Sequence, residues 1–316
     1  MTVTPKSIGV SGGVRGARVS ANSSGRVTRT VGIPGSGISH TKTLSSGSRA
    51  ASVSSGATSQ RQPAQPKPGA FAPKWEKAAY KAVTDTPDAA VLHQLVKEYP
   101  KASELLSLVE VIRLSLPNGD LARSKALLGW LNARGYEPQT DEFVRRYIPN
   151  ASMTIAVAEG IAATLPLDRN TLGLILAEIE QGDGNLDQAI AVVEALEPTT
   201  IAAVSLAELY AEQSRWSDIV DLTNGVSNDD EPSTYLLVQR GKALREQGYY
   251  EASRESLKEA LRVRSRPTDL RNLALIERGK TYLAERKKAM ARKDFERVLA
   301  ENSTFDGLAE LLEATN

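Results

Sequence analysis

Between Thr234 and Leu261 the chain reads TYLLVQRGKALREQGYYEASRESLKEAL, a stretch that leaves few options for the fold. Gly241 and Leu244 share one helical face, Gly248 and Tyr250 stand at a break, and Leu257 and Ala260 share a second face. Small residues at such spacing let two antiparallel helices approach closely, while Leu and aromatic side chains fill the space between them. Two short helices cannot enclose their own apolar faces, so the pair requires a neighbour to stack on.

The same register recurs. Upstream, at the period of about 34 residues such pairs keep, Ala207, Tyr210 and Trp216 occupy the places of Gly241, Leu244 and Tyr250. Downstream, after a longer connection, Gly279, Tyr282, Ala291, Phe295 and Val298 do so. A looser unit precedes them: Leu172, Ile175, Leu176 and Ile179, then GDGN, then Leu186, Ala189, Ile190, Val193 and Leu196, with Glu180 where an aromatic would fit the pattern. The stretch 234–261 resembles a tetratricopeptide repeat, with Ser253 in place of the usual alanine. The fold expected is therefore all-α, a helical-repeat solenoid of tetratricopeptide-like antiparallel pairs over residues 74–316. Its clearest repeats fall at about 200–302, with a capping helix at about 304–315 carrying Leu308, Leu311 and Leu312.

The resemblance also implies a site. In that family the first helix of each pair lines a groove, and the corresponding positions here are Val204 and Glu208, Val238 and Lys242, and Ile276 and Lys280, with Tyr235 and Leu273 one turn earlier. Val238 and Ile276 stand where the family's carboxylate clamp has lysine, and Lys242 and Lys280 where it has asparagine. The expected occupant is thus an internal acidic and apolar segment of a protein or peptide partner, not a free C-terminus.

Ahead of residue 74 the helical pattern is missing from the sequence. Residues 1–44 are rich in Gly and Ser, with alternating Val19 and Ala21 and then Val27, Arg29 and Val31, which predicts a small β-meander. The strings GVRGARVS and SGRVTRTVGIPGSGISHTKT are similar to the domain-of-unknown-function family 4236, whose bacterial members often carry other modules behind it and have no established activity. Residues 45–73, dominated by Ser, Gly, Ala, Gln and Pro, predict a disordered linker. Gly32, Gly35 and Gly37 lack the G-K-[ST] of a phosphate loop and read as a turn.

Charge separates the two parts. Ten of the 39 Lys and Arg residues precede Glu76 and no acid does, which leaves 29 bases against 38 acids behind. Arg15, Arg18, Arg26 and Arg29 are the candidate anion contacts, and docking on nucleic acid or an acidic membrane is the alternative to protein binding. A second basic run, Arg262 to Arg297, reads first as a solvated helical face.

Enzyme chemistry finds no foothold. The chain has no Cys and only His40 and His93, and its carboxylates fall at helix-surface spacing. No catalytic, metal or cofactor-binding residue is assigned. No stretch approaches the roughly 18 apolar residues of a membrane span and no signal-peptide core follows Met1, so the expected compartment is the cytoplasm. Helical patterns continue from Lys74, and EFVRRYI and SMTIAVAEGIAATL are both expected to be helices carrying the stack towards Thr171.

Overall fold

The computed structural model describes residues 66–85, 87–158 and 161–316 and, before them, four strands. These are β1 (Gly9–Val14), β2 (Ala17–Asn22), β3 (Val27–Gly32) and β4 (Ser39–Ser45), paired in sequence order as an antiparallel meander. Most of the linker expected at 45–73 lies outside the described residues. The chain forms two compact units, residues 1–155 with 164–182, and residues 156–163 with 183–316.

In the first unit, α1 (Lys74–Thr84), α2 (Ala89–Glu98) and α4 (Leu121–Ala133) surround α3 (Ser103–Glu110). Leu105, Leu106, Leu108 and Val109 bury every side of α3, which runs on through a π turn at Val111–Ser115. Asp88 and Asp120 cap α2 and α4 with their carboxylates. Burying α3 all round also buries Glu110. Its carboxylate is matched by Arg123 Nε at 2.7 Å and by His93 Nε2 at 3.0 Å. Burial pushes Glu110 up, but these two partners outweigh it and hold it below the usual carboxylate range. His93 is thereby a structural partner. The short α5 (Glu142–Tyr147) adds Phe143 and Tyr147 to an aromatic cluster with Trp75 and Tyr80.

The stretch SMTIAVAEGIAATL is not helical. It forms β5 (Ser152–Ala158) and β6 (Ile161–Pro166), which pair with each other. Ile155 and Val157 are buried while Thr154 is exposed, a period of two, and β-branched residues suit the pleat. The hydroxyls of Thr154 and Thr164 meet at 2.9 Å. After it comes α6 (Arg169–Gly182), whose Glu180 pairs with Lys125 of α4 at 2.6 Å.

The second unit contains α7 (Leu186–Glu194), α8 (Thr200–Glu212), α9 (Trp216–Leu222), α10 (Glu231–Glu246), α11 (Tyr250–Ala260), α12 (Thr268–Ala284), α13 (Lys288–Glu301) and α14 (Leu308–Glu313). Successive helices pair antiparallel across tight turns, and α8, α10 and α12 lie side by side. A Cβ on Gly241 would stand 2.5 Å from Leu257 Cγ, and one on Gly279 would run into the ring of Phe295. Only glycine permits approaches this close. Leu261 packs against both the cluster around Leu257 and the cluster around Phe295, joining one pair to the next. Leu308, Leu311 and Leu312 of α14 lie on the Phe295 cluster and close it.

The turns between paired helices share one geometry. At Ser214, Gly248 and Arg286 the backbone is left-handed, with φ of 56°, 84° and 62°. The next residue then donates its N–H to the carbonyl five residues back, from Arg215 to Tyr210, Tyr249 to Leu244 and Lys287 to Tyr282, each at 2.8 Å. Asn228, Thr234 and Arg266 fasten the connections. Asn228 Nδ2 donates to Glu259 O at 2.6 Å, and Arg266 Nε donates to Thr234 Oγ1 at 2.8 Å.

Candidate peptide-binding groove

Helices α8, α10 and α12 carry all eight residues expected to line the groove, but the structure does not leave all eight accessible. Val204, Tyr235, Val238 and Ile276 are at most 2% exposed. The apolar floor expected from these four is therefore interior packing. The physical reason is the side-by-side contact of the first helices, which turns these positions towards a neighbour. Glu208, Lys242, Leu273 and Lys280 keep part of their surface.

Two polar clusters tie the helices at this face. Glu208 of α8 accepts hydrogen bonds from Tyr235 Oη and, at 2.6 Å, from Gln239 Nε2, both on α10. Glu277 of α12, buried, pairs with Arg245 Nη1 of α10 at 2.5 Å and with Lys280 Nζ at 2.8 Å. Burial alone would raise the Glu277 carboxyl, but the charges of Arg245 and Lys280 prevail and hold it below the usual range. Lys242 sits on neither cluster. Its Nζ lies 5.7 Å from the centroid of the Trp216 ring, a distance at which a cation is attracted by the ring face.

The sequence does not mark Gln239, Arg245 and Glu277, because their importance comes from the adjacent helix and not from spacing along their own. The one available signal is that Lys242 and Arg245 lie one turn apart on α10, as do Glu277 and Lys280 on α12.

Residues 234–266 match the sequence profile of the tetratricopeptide repeat. The chain carries that repeat. Residues 1–41 match a family described as a protein of unknown function (DUF4236). No curated protein sequence matches the chain. Among solved structures, the N-terminal domain of the EccA1 ATPase from the ESX-1 secretion system of Mycobacterium tuberculosis aligns with a TM-score of 0.51 at 16% identity, over 76% of this chain and 87% of that one. At that identity the likeness shows a shared helical-repeat fold.

The other candidate surfaces fare differently. Arg18 lies on β2 opposite Gly13 and Thr30, and Arg29 on β3 opposite Val19 and Lys42, while Arg15 and Arg26 lie outside the described residues. The second basic run is largely paired within the unit. Arg262 meets Glu259, Arg271 meets Glu301, Arg292 meets Glu296, and Arg278 grips the buried Asp294 through two bonds of 2.8 and 2.7 Å. Among the described residues no group of three or more His, Asp or Glu side chains could hold a metal ion, and no helix is long and apolar enough to cross a membrane.

Proposed function

We propose that the chain is a non-enzymatic, cytoplasmic adaptor that holds an internal acidic and apolar segment of a partner protein along α8, α10 and α12. One observation carries this reading: Lys242 and Lys280 occupy equivalent positions on adjacent first helices, and both keep surface after the unit has packed. Leu273, partly buried against Val238, supplies an apolar contact on the same helix as Lys280. Glu277 fixes the Lys280 ammonium in place, which lowers the entropy cost of using it.

The test is a double substitution chosen for this geometry. Lys280→Glu would set a second carboxylate beside Glu277, so Lys280→Gln is combined with Lys242→Glu. Helicity should stay near wild type and melting should fall only modestly, since Arg245 still pairs with Glu277, and the main partner recovered by affinity purification should be lost. Equal recovery by variant and wild type overturns the groove.

A second reading rests on the ten bases and no acids ahead of Glu76. Docking on a polyanion would weaken steeply with salt. Replacing Arg15, Arg18, Arg26 and Arg29 with Ser in the full chain should then abolish salt-sensitive retention on DNA, RNA or acidic vesicles. Retention that ignores salt, or ignores the substitutions, removes this reading.

A further inference from the structure

Two of the three tryptophans carry a cation, as does the buried ring of Tyr210. Arg134 stands 5.0 Å from the centroid of Trp130, Arg215 stands 4.3 Å from Tyr210, and Lys242 lies over Trp216. Of the three tryptophans only Trp75 departs from this: among the described residues, no cation stands over Trp75 or over Tyr99. These two rings line one cavity of about 520 Å³ in the first unit. That volume lies in the range of about 300 to 1,000 Å³ typical of ligand sites.

The cavity has apolar walls from Pro100, Ala102 and Leu105, and three carboxylates, Glu98, Glu104 and Asp141. Two of the three are occupied. Glu104, in the first turn of α3, receives Arg134 Nε at 2.6 Å. Asp141 caps α5 through Oδ1 and accepts the Tyr136 hydroxyl through Oδ2 at 3.1 Å. Glu98 differs, being exposed, and its carboxylate pushes the neighbouring Tyr99 hydroxyl up from its ordinary value. It is also the last residue of α2, where the helix presents its negative end and an acid is locally unfavourable. Lys101 is the one base in the lining. The arrangement is a π surface beside an exposed carboxylate at a helix C-terminus, with no cation over either ring among the described residues.

We propose that this cavity receives an arginine side chain presented by a partner peptide, its guanidinium lying against Trp75 and Tyr99 and paired with Glu98. Arginine fits better than lysine because its planar, weakly hydrated head stacks on a ring while its N–H fork meets a carboxylate. The aliphatic stem has Pro100 and Leu105 to lie on. The site lies within the first unit and stands independently of the groove on α8, α10 and α12.

The experiment uses the full chain and two blocked tripeptides, acetyl-Gly-Arg-Gly-amide and its citrulline counterpart, which keeps the shape and removes the charge. Binding is read from the three indole N–H signals in nuclear magnetic resonance, with that of Trp75 assigned through Trp75→Phe. The arginine peptide should move the Trp75 signal and leave those of Trp130 and Trp216 in place, and the citrulline peptide should bind about tenfold more weakly. Glu98→Gln, which should melt as wild type, should weaken the arginine peptide by a similar factor and leave the citrulline peptide unchanged. The proposal is overturned if the two peptides bind alike, if Trp130 moves instead, or if the Trp75 signal stays fixed at millimolar peptide.

Discussion

Gly241 meets the branch point of Leu257, whereas Gly279 meets the ring of Phe295, and around this shared contact the pairs α10/α11 and α12/α13 use different chemistry. In the first pair Ser253 donates to Gly241 O at 2.7 Å and lies 3.0 Å from Thr281 Oγ1, so a buried hydroxyl bonds α11 to α10 and reaches α12. In the second pair Ala291 holds the corresponding place with packing alone, fully buried. The turn of the first pair is made by Gly248, that of the second by Arg286 in the same left-handed conformation. The repeat demands a close approach at one glycine and a left-handed turn. Which atoms fill the contact, and which residue bears the strain, are left to the individual pair.

The largest effect is expected where the two pairs are joined. Glu277→Ala removes the buried partner of Arg245 and should cost about 3 kcal/mol, measured by urea unfolding, because a charge is left in the interior with Glu246 as its remaining carboxylate. The same pair sets a pH dependence. Since Glu277 titrates below its ordinary value of 4.5 in the folded state, its contribution is full above that value and is lost as pH falls through the lower folded value. Melting of Glu277→Gln should therefore fall less steeply than wild type on acidification below about pH 4.5.

Next come the glycines. Alanine gains about 1 kcal/mol of helix propensity over glycine, but overpacking costs about 1 to 3 kcal/mol. The Phe295 ring yields less than a Leu side chain, so Gly279→Ala should lose about 2 kcal/mol and Gly241→Ala distinctly less. Thermal melting reads that order, and its reversal would mean that the Leu257 contact is the stiffer of the two. Ser253→Ala, which makes the first pair like the second, should cost about 1 kcal/mol, with Thr281 still satisfied by Glu277 O. The smallest change is a gain: Arg286→Gly relieves a left-handed non-glycine residue and should stabilise by about 0.5 kcal/mol. Destabilisation by that change would mean the Arg286 side chain contributes more than its backbone costs.

The repeats were legible because a glycine, a large apolar residue and a turn recur at fixed spacing, a pattern written locally in the chain. The strands at 152–158 and 161–166 were not, because Met153, Ala156, Ala158, Ala162 and Ala163 place apolar residues on both faces and hide the alternation that Ile155 and Val157 obey. The helix period could be drawn through the same residues. At the groove, the positions of Lys242 and Lys280 could be carried over, but the burial of Tyr235 and Val238 could not, since it depends on how closely the first helices pack. Ser253 illustrates the same limit: it reads as a departure from alanine, and only the neighbouring helix shows what its hydroxyl bonds. The bond from Arg245 to Glu277 spans two helices, and no local period announces it.

The claim that the first helices of the second unit form the binding face is tested most directly by site-specific photo-crosslinking in cells. A photoreactive phenylalanine analogue is placed at Leu273, on α12, and in a separate variant at Met290, an exposed apolar residue on α13. The analogue at Leu273 should capture an internal peptide rich in acidic and apolar residues, identified by mass spectrometry, and the one at Met290 should not. Capture of the same peptide from both positions, or from Met290 alone, would contradict that claim.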